Sequence, residues 1–558
     1  MRWQQLAAWT SCLAAGVSSA HSPVPPHLHA WNARRGAQDA ATSPPGVASD
    51  RWERRDGDGA EAHRFVNSRT SKYLLNGTGI PDVDFDIGEA YAGQMSITND
   101  VNGPDKFFFW FQPSPNPAAE KEILIWLNGG PGCSSLEGLL QENGPFSWQY
   151  GTFKPVANPW SWHHLTNVLW VEQPLTTGFS TGTVTATDEE DVARQFLGFF
   201  KNFVQTFSMQ GYKVYITGES YAGMYCPYIA NAMLDADDPI HFNMKGMILY
   251  DPAMVDYRLG EVNVVPFVDH HRNLFPLNDS FVQAIHETDR KCGYAELRDK
   301  YLTWPPRGLL PDTLPGVDAK TGKPLPGCGD FELTGVIQEA IMEVNPCFDM
   351  YQIATTCPVL WDVLGFPGSF DYLPKGASIY FDRPDVKRAI HAPLDRQWSS
   401  CSKTPVFVND SDNSPWSSTT VLSKVIDRTK NVLIGHGALD YILVANTTLM
   451  AIQNMTFGGK LGFETRPHEP FYVPYHRREA DGSLTGAGVF GTAHTERGLT
   501  YVGVSLAGHM VPQYAPSAAF RHVEFMLGRV DSLNSTKPFS TEPDVAQSRG
   551  ALGAGTAR

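Results

Sequence analysis

Four short stretches of the chain carry residue types that could work together in nucleophilic chemistry. The first is Gly218-Glu219-Ser220-Tyr221-Ala222-Gly223, which follows the β-branched and aromatic run "KVYI" and precedes the apolar "MYCPYIANAML". Small residues around a serine let the backbone make a sharp strand-to-helix turn and leave the hydroxyl exposed, as in a nucleophile elbow. A serine hydroxyl is a poor nucleophile near neutral pH; it needs a base, and the base needs an orienting carboxylate. The second stretch, "NVLIGHGALDY", is a strand-like run whose glycine-containing loop delivers Asp440. The third, "YVGVSLAGHMVP", is a strand-like run followed by His509. Serine, aspartate, histidine is the chain order that an elbow of this kind requires. His436 competes with His509 among the 17 histidines, but it precedes the aspartate and breaks that order. The fourth stretch, "ILIWLNGGPGCSS", is a strand ending in Asn128-Gly129-Gly130-Pro131-Gly132. Backbone N–H groups of such a loop, with that of Tyr221 after the serine, could form an oxyanion hole.

Positioning these groups calls for a set of buried strands. The runs "AYAGQMSI", "DKFFFWFQ", "EILIWLN", "NVLWVEQ", "KVYITG", "KGMILYD", "NVLIGHG" and "TYVGVS" are apolar or β-branched. Several are near-continuous rather than alternating, the pattern of parallel strands covered on both faces. Between two of them, Val192, Phe196, Phe199, Phe203 and Phe207 recur at helical spacing. The expected fold class is α/β: an α/β-hydrolase fold with a mostly parallel central sheet, helices on both faces and a largely helical insertion over about 255–400. No internal repeat is evident.

Bulk properties narrow the function. The 558 residues are 42% hydrophobic and 18% charged, ordinary globular values, and the formal net charge of −15 argues against nucleic acid and anionic membranes as partners. Residues 1–20 read as a signal peptide, with a basic start, a short apolar run and small residues near Ala20. That run is too short to span a bilayer, and the tail is not hydrophobic, so no membrane anchor is expected. Residues 21–60, rich in Pro, Ala, Gly and charge, read as a flexible leader or pro-segment; the folded domain is expected over 61–530 and a flexible tail over 531–558. Seven cysteines remain after the signal peptide, an odd count that allows three bridges and one free thiol. No spacing suggests a metal site, and no cofactor is called for. Sequons at Asn76, Asn278, Asn409, Asn446, Asn454 and Asn534 suit a glycosylated, exported surface.

"WLNGGPGCSS", "ENGPF", "GESYAG" and "AGHMVP", in this order, resemble the serine carboxypeptidase family, and the matches run from about Tyr73 to Leu527. The resemblance implies release of the C-terminal residue from peptides at acidic pH, in a secreted or vacuolar compartment. It implies a triad of Ser220, Asp440 and His509, with Gly130 and Tyr221 as oxyanion donors. Asn128, Gly129, Glu142 and Glu219 fall where the family binds the substrate carboxylate. Two adjacent carboxyls resist ionising together, so a protonated Glu142/Glu219 pair would donate hydrogen bonds at acidic pH and repel the substrate once ionised. The family also implies a Cys133–Cys401 bridge and nested pairs Cys292–Cys357 and Cys328–Cys347, leaving Cys226 free.

Two stretches depart from the family pattern. "VEQPLTTGFS" has Glu172 and Thr176 where aspartate and glycine are more usual, and "LYDPAMVD" replaces a Gly-Asn-Gly turn. Two other functions compete with the peptidase: an acyltransferase using an alcohol as acceptor, and a catalytically silent binding protein. The retained Glu142 and Glu219 favour the peptidase.

Overall fold

The computed structural model describes residues 63–543 apart from 101, 319, 366–377 and 477–485. The expected signal peptide and leader, and the tail from 544 onward, lie outside the described residues.

Ten strands form one sheet: β1 Tyr91–Ser96, β2 Lys106–Gln112, β3 Glu122–Leu127, β4 Asn167–Glu172, β5 Lys213–Glu219, β6 Asn243–Tyr250, β7 Val432–Gly437, β8 Glu469–Val473, β9 Gly488–Glu496 and β10 Leu499–Val504. Their order across the sheet is β1-β2-β4-β3-β5-β6-β7-β10-β9-β8. The central strands β4, β3, β5, β6, β7 and β10 are parallel, and antiparallel ribbons close both sides. β3, β4 and β7 are buried along their whole length, which is why their sequences run apolar without alternation. β8 and β9 were not expected. β8 is the edge strand and β9 lies between it and β10. Both are mixed in composition, with Phe471, Val473 and Ala493 buried among exposed or half-buried residues, so neither shows an unbroken apolar run.

Helices of at least eight residues among those described are α1 Glu189–Phe207, α2 Ala222–Asp235, α3 Arg258–His270, α4 Asp279–Lys291, α5 Tyr294–Tyr301, α6 Glu332–Val344, α7 Leu422–Thr429, α8 Ala445–Gln453 and α9 Pro516–Met526. The Asp188 side chain caps α1 by accepting from the Asp191 N–H at 2.9 Å, and acidic residues fill its first turn. Its phenylalanine stripe packs on one face of the sheet with Phe109, Ile125 and Ile216; removing one ring, as in Phe203→Ala, costs about 3–5 kcal/mol. On the other face Phe520 and Val523 of α9 pack with Trp126, Trp170 and Tyr250.

Helices α3–α6 lie between β6 and β7 in sequence and build a third core around Val262, Phe275, Ile337 and Ile341. Tyr441, next to Asp440, belongs to this core. The insertion therefore grips the loop that carries the aspartate.

Two expectations need correction. The nested pairs Cys292–Cys357 and Cys328–Cys347 do not form: Cys292 bonds Cys328, and Cys347 bonds Cys357. After α5 the chain folds back on the end of α4, where Lys291 Nζ donates to the Pro326 carbonyl and Tyr294 Oη to that of Cys328. Cys347 and Cys357 bracket a tight loop, crossed by the Asn345 amide on the Thr355 carbonyl at 2.8 Å. The domain also runs past 530. Phe539 is buried against Trp160 and Phe520, and Arg521 Nη2 donates to the carbonyls of Ser535 and Lys537. Cys133 is bonded to Cys401, and Cys226 is a buried free thiol.

Candidate active site

β5 ends at Glu219 and α2 starts at Ala222, so Ser220 and Tyr221 make the whole turn. Ser220 sits at φ 58°, a left-handed backbone that a side chain adopts only when its surroundings enforce it. They do: its N–H donates to the Tyr250 carbonyl, and its carbonyl accepts from the N–H groups of Gly223 and Ala253. The glycine frame follows from crowding. A Cβ at Gly218 would stand 2.5 Å from the Leu127 carbonyl oxygen, and one at Gly223 would stand 2.7 Å from that of Ala253.

The loop after β3 comes equally close. A Cβ at Gly129 would lie 2.4 Å from the Tyr221 nitrogen and 2.7 Å from Ser220 Cβ, so only glycine fits against the elbow. The N–H groups of Gly129, Gly130 and Tyr221 have no backbone acceptor among the described residues. Behind this loop, Ser402 N–H donates to the Gly132 carbonyl and Ser134 N–H to that of Ser400, either side of Cys133–Cys401. Glu172 is also behind the loop. It accepts from Ser134 Oγ, from the Phe179 N–H at 2.6 Å and from Trp398 Nε1 at 3.2 Å, and burial pushes its carboxyl up to about 7.

Asn128 organises a buried acidic cluster beside Ser220. Its Oδ1 accepts from Trp126 Nε1 at 2.7 Å and from the Gly138 N–H at 3.2 Å. Two donors on one atom fix which end of the amide is oxygen. Its Nδ2 then donates to Glu219 Oε1 at 2.9 Å and Glu142 Oε1 at 3.3 Å. Oε2 of each glutamate is buried with no partner among the described residues. Burial raises both carboxyls, and the nearness of Glu142 adds to the rise at Glu219. Glu137, unremarked in the sequence, is a third buried acid here, raised by burial and then by Glu142 and Asp362.

Asp440 and His509 stand at the ends of adjacent strands β7 and β10. His509 Nδ1 bonds Asp440 Oδ2 at 2.8 Å, while Asp440 Oδ1 accepts from the N–H groups of Ile442 and Leu443 at 3.0 and 3.2 Å. His509 is held from the insertion: its N–H donates to the Tyr351 carbonyl at 2.7 Å, and the two rings meet edge-on at 5.2 Å. Sequence reading missed Tyr351, because only folding brings the insertion there. No hydrogen bond joins Ser220 Oγ to His509 among the described residues; catalytic bonds are commonly long in unliganded sites and tighten with substrate. His436 is fully buried, with Nε2 on the Leu443 carbonyl and Nδ1 on Thr448 Oγ1, so it has no route to a substrate. Asp251, Asp440 and His509 have ligand-type atoms within 4.8 Å of one another, and within that group His509 Nδ1 bonds Asp440.

An elbow serine backed by an Asp–His pair, on a parallel sheet with this strand order, defines a hydrolase of the α/β-hydrolase fold. A profile of the serine carboxypeptidase family matches residues 81–529, and the chain belongs to that family. It is 53% identical over 480 residues to a probable serine carboxypeptidase of Arthroderma benhamiae, covering 84% of this chain and 88% of that one. It is 46% identical over 490 residues to serine-type carboxypeptidase F of Aspergillus niger, covering 85% and 90%. The crystal structure of Kex1(delta)p, a prohormone-processing carboxypeptidase from Saccharomyces cerevisiae, shares the fold with a TM-score of 0.64 at 22% identity, over 84% of this chain and 98% of that one. The protein is a serine-type carboxypeptidase, a peptide hydrolase. No helix among the described residues is long and apolar enough to cross a membrane, and its three disulfides are consistent with the secretory pathway.

Proposed function

We propose that Ser220, His509 and Asp440 are the catalytic triad and that the Asn128–Glu142–Glu219 cluster reads the substrate's free C-terminus. Ser220 Oγ attacks the last peptide carbonyl and passes its proton to His509 Nε2, while Asp440 holds the ring by Nδ1. The oxyanion accepts from the N–H groups of Gly130 and Tyr221. Collapse transfers the proton to the leaving amino group and frees the C-terminal residue, and water then hydrolyses the acyl-enzyme by the same steps. The carrying observation is that Glu219 precedes Ser220 and shares the Asn128 amide with Glu142. Raised carboxyls are donors at acidic pH, which together with the Gly129 N–H suits the leaving carboxylate.

A protonated pair suits an acidic working compartment, either outside the cell or a vacuole. Of the sequons, Asn76, Asn278, Asn409 and Asn534 are exposed, whereas Asn446 and Asn454 are half-buried, so glycans are assigned to the first four. The test is hydrolysis of an N-blocked dipeptide by the wild type and by Ser220→Ala, run beside an ester–alcohol pair. The reading expects peptide hydrolysis lost by several orders of magnitude in the variant, with the fold retained. Retention of more than a few per cent activity would refute Ser220, and preferential acyl transfer to the alcohol would establish the acyltransferase instead.

A further inference from the structure

Asp251 follows β6, within the stretch that departs from the family's Gly-Asn-Gly turn, and it has no part in the steps above. It is fully buried, as are Asp440 and His436. Its Oδ1 accepts from the Gly437 N–H at 2.9 Å and lies 3.2 Å from His436 Nε2. His436 Nε2 must carry a hydrogen, because its bond at 2.5 Å is to the Leu443 carbonyl, which only accepts. Nδ1 then accepts from Thr448 Oγ1 at 3.1 Å, so His436 is a neutral donor. Asp251 Oδ2, by contrast, is buried with no donor among the described residues.

Asp440 shows the opposite pattern. Three N–H groups point at it: two on Oδ1 and His509 on Oδ2. Three donors on a carboxyl with about four acceptor sites fit an ionised carboxylate with one site still open on Oδ2. Atoms of Asp251, Asp440 and His509 all lie within 4.8 Å of one another, and two buried carboxyls this close cannot both be charged.

We propose that Asp251 is a positioning residue of the triad: a neutral acid that donates a hydrogen bond from Oδ2 to the Asp440 carboxylate and so weakens that carboxylate's hold on the His509 proton. The inference rests on the triad reading above. Its consequence concerns acidity. Serine attack needs a neutral imidazole, and a fully charged aspartate beside it favours the imidazolium. A donor on Asp440 withdraws part of that charge, so His509 stays a base to lower pH.

The other titratable groups around Asp251 and the triad are the same in the wild type and in variants at Asp251, so they do not distinguish them. Burial keeps His436 neutral, down to about 4. Burial also raises Glu219 on β5, Asp349 of the insertion (to about 7), and the phenols Tyr250 and Tyr501. Asp251 itself is raised by burial first and by Asp440 next.

Diisopropyl fluorophosphate tests this without a substrate carboxylate. Ser220 Oγ would bond phosphorus, fluoride would leave, and the serine proton would pass to His509, so the labelling rate against pH reads the base. Asp251 has φ 43°, a left-handed backbone that both Gly and Asn tolerate. Asp251→Gly removes the donor and should move the acidic limb of the profile toward neutral, slowing labelling on that limb about tenfold. Asp251→Asn keeps a neutral donor and should restore the limb to within about twofold of wild type. An unmoved limb in a folded Gly variant overturns the inference. Should the Gly variant not fold, Asn still decides: faster labelling at acidic pH would mean that a charge had been removed, and so that wild-type Asp251 is ionised. If the wild type is not labelled at Ser220, the triad reading fails, and this inference with it.

Discussion

Glu142 and Glu219 distinguish an exopeptidase from a general serine hydrolase, and changing them is the sharpest test of the proposed site. Each carboxyl has one oxygen on the Asn128 amide and one buried oxygen with no partner among the described residues. That second oxygen, protonated, is the donor assigned to the substrate carboxylate. A hydrogen bond to a charged acceptor is worth about 1.5–3 kcal/mol, so Glu142→Ala should cost about 10–150-fold in kcat/KM on free-acid peptides. A C-terminally amidated peptide presents no carboxylate and should lose far less. The sign of the pH effect follows from the direction of the shifts. Both carboxyls are raised, chiefly by burial, Glu142 to about 8. The pair therefore donates at acidic pH and loses that role as pH rises through Glu142's raised value, so KM for free-acid peptides should climb. Glu142→Gln with Glu219→Gln keeps amide donors and removes the titration. The double variant should bind free acids less well at acidic pH, through altered geometry, yet show little further loss on going alkaline. The assay is KM for matched acid and amide peptides over about pH 5–9 on both proteins. A flat wild-type profile for the free acid would refute the carboxyl-pair account even if Ser220 proved essential.

Removing the Cys133–Cys401 bridge by Cys401→Ser should cost about 2–5 kcal/mol of stability and lower activity by loosening the glycine loop; thermal unfolding and kcat measured together would show whether both fall. Glu172 gives a pH test of stability. Its folded value of about 7 lies above the ordinary 4.5, so stability is fully present below the unfolded value and is lost as pH rises through the folded one. The difference corresponds to about 3 kcal/mol. Glu172→Gln should remove that share of the loss between acidic and neutral pH in denaturant titrations, and equal losses in both proteins would contradict it.

Much of this site was legible in the sequence because its requirements are local. An elbow needs small residues on either side of a strained serine, and buried parallel strands need unbroken apolar runs; both leave marks within a few residues. The eight expected strands and the phenylalanine helix α1 were visible for that reason. The resemblance to the family placed Asn128, Glu142 and Glu219 by motif, and the fold brings their side chains together. What the chain did not reveal depends on segments far apart. β8 and β9 join the sheet by pairing, and their few core residues, Phe471, Val473 and Ala493, stand among polar and exposed ones. Phe539 is held by a pocket of Trp160 and Phe520 rather than by its neighbours. The pairs Cys292–Cys328 and Cys347–Cys357 depend on how the insertion doubles back, which spacing cannot encode. Asp251 is the plainest case. In sequence it is one acid in an unusual turn, 189 residues before Asp440. Only the parallel pairing of β6 and β7 sets the two carboxyls side by side, where burial and mutual repulsion decide which of them holds the proton.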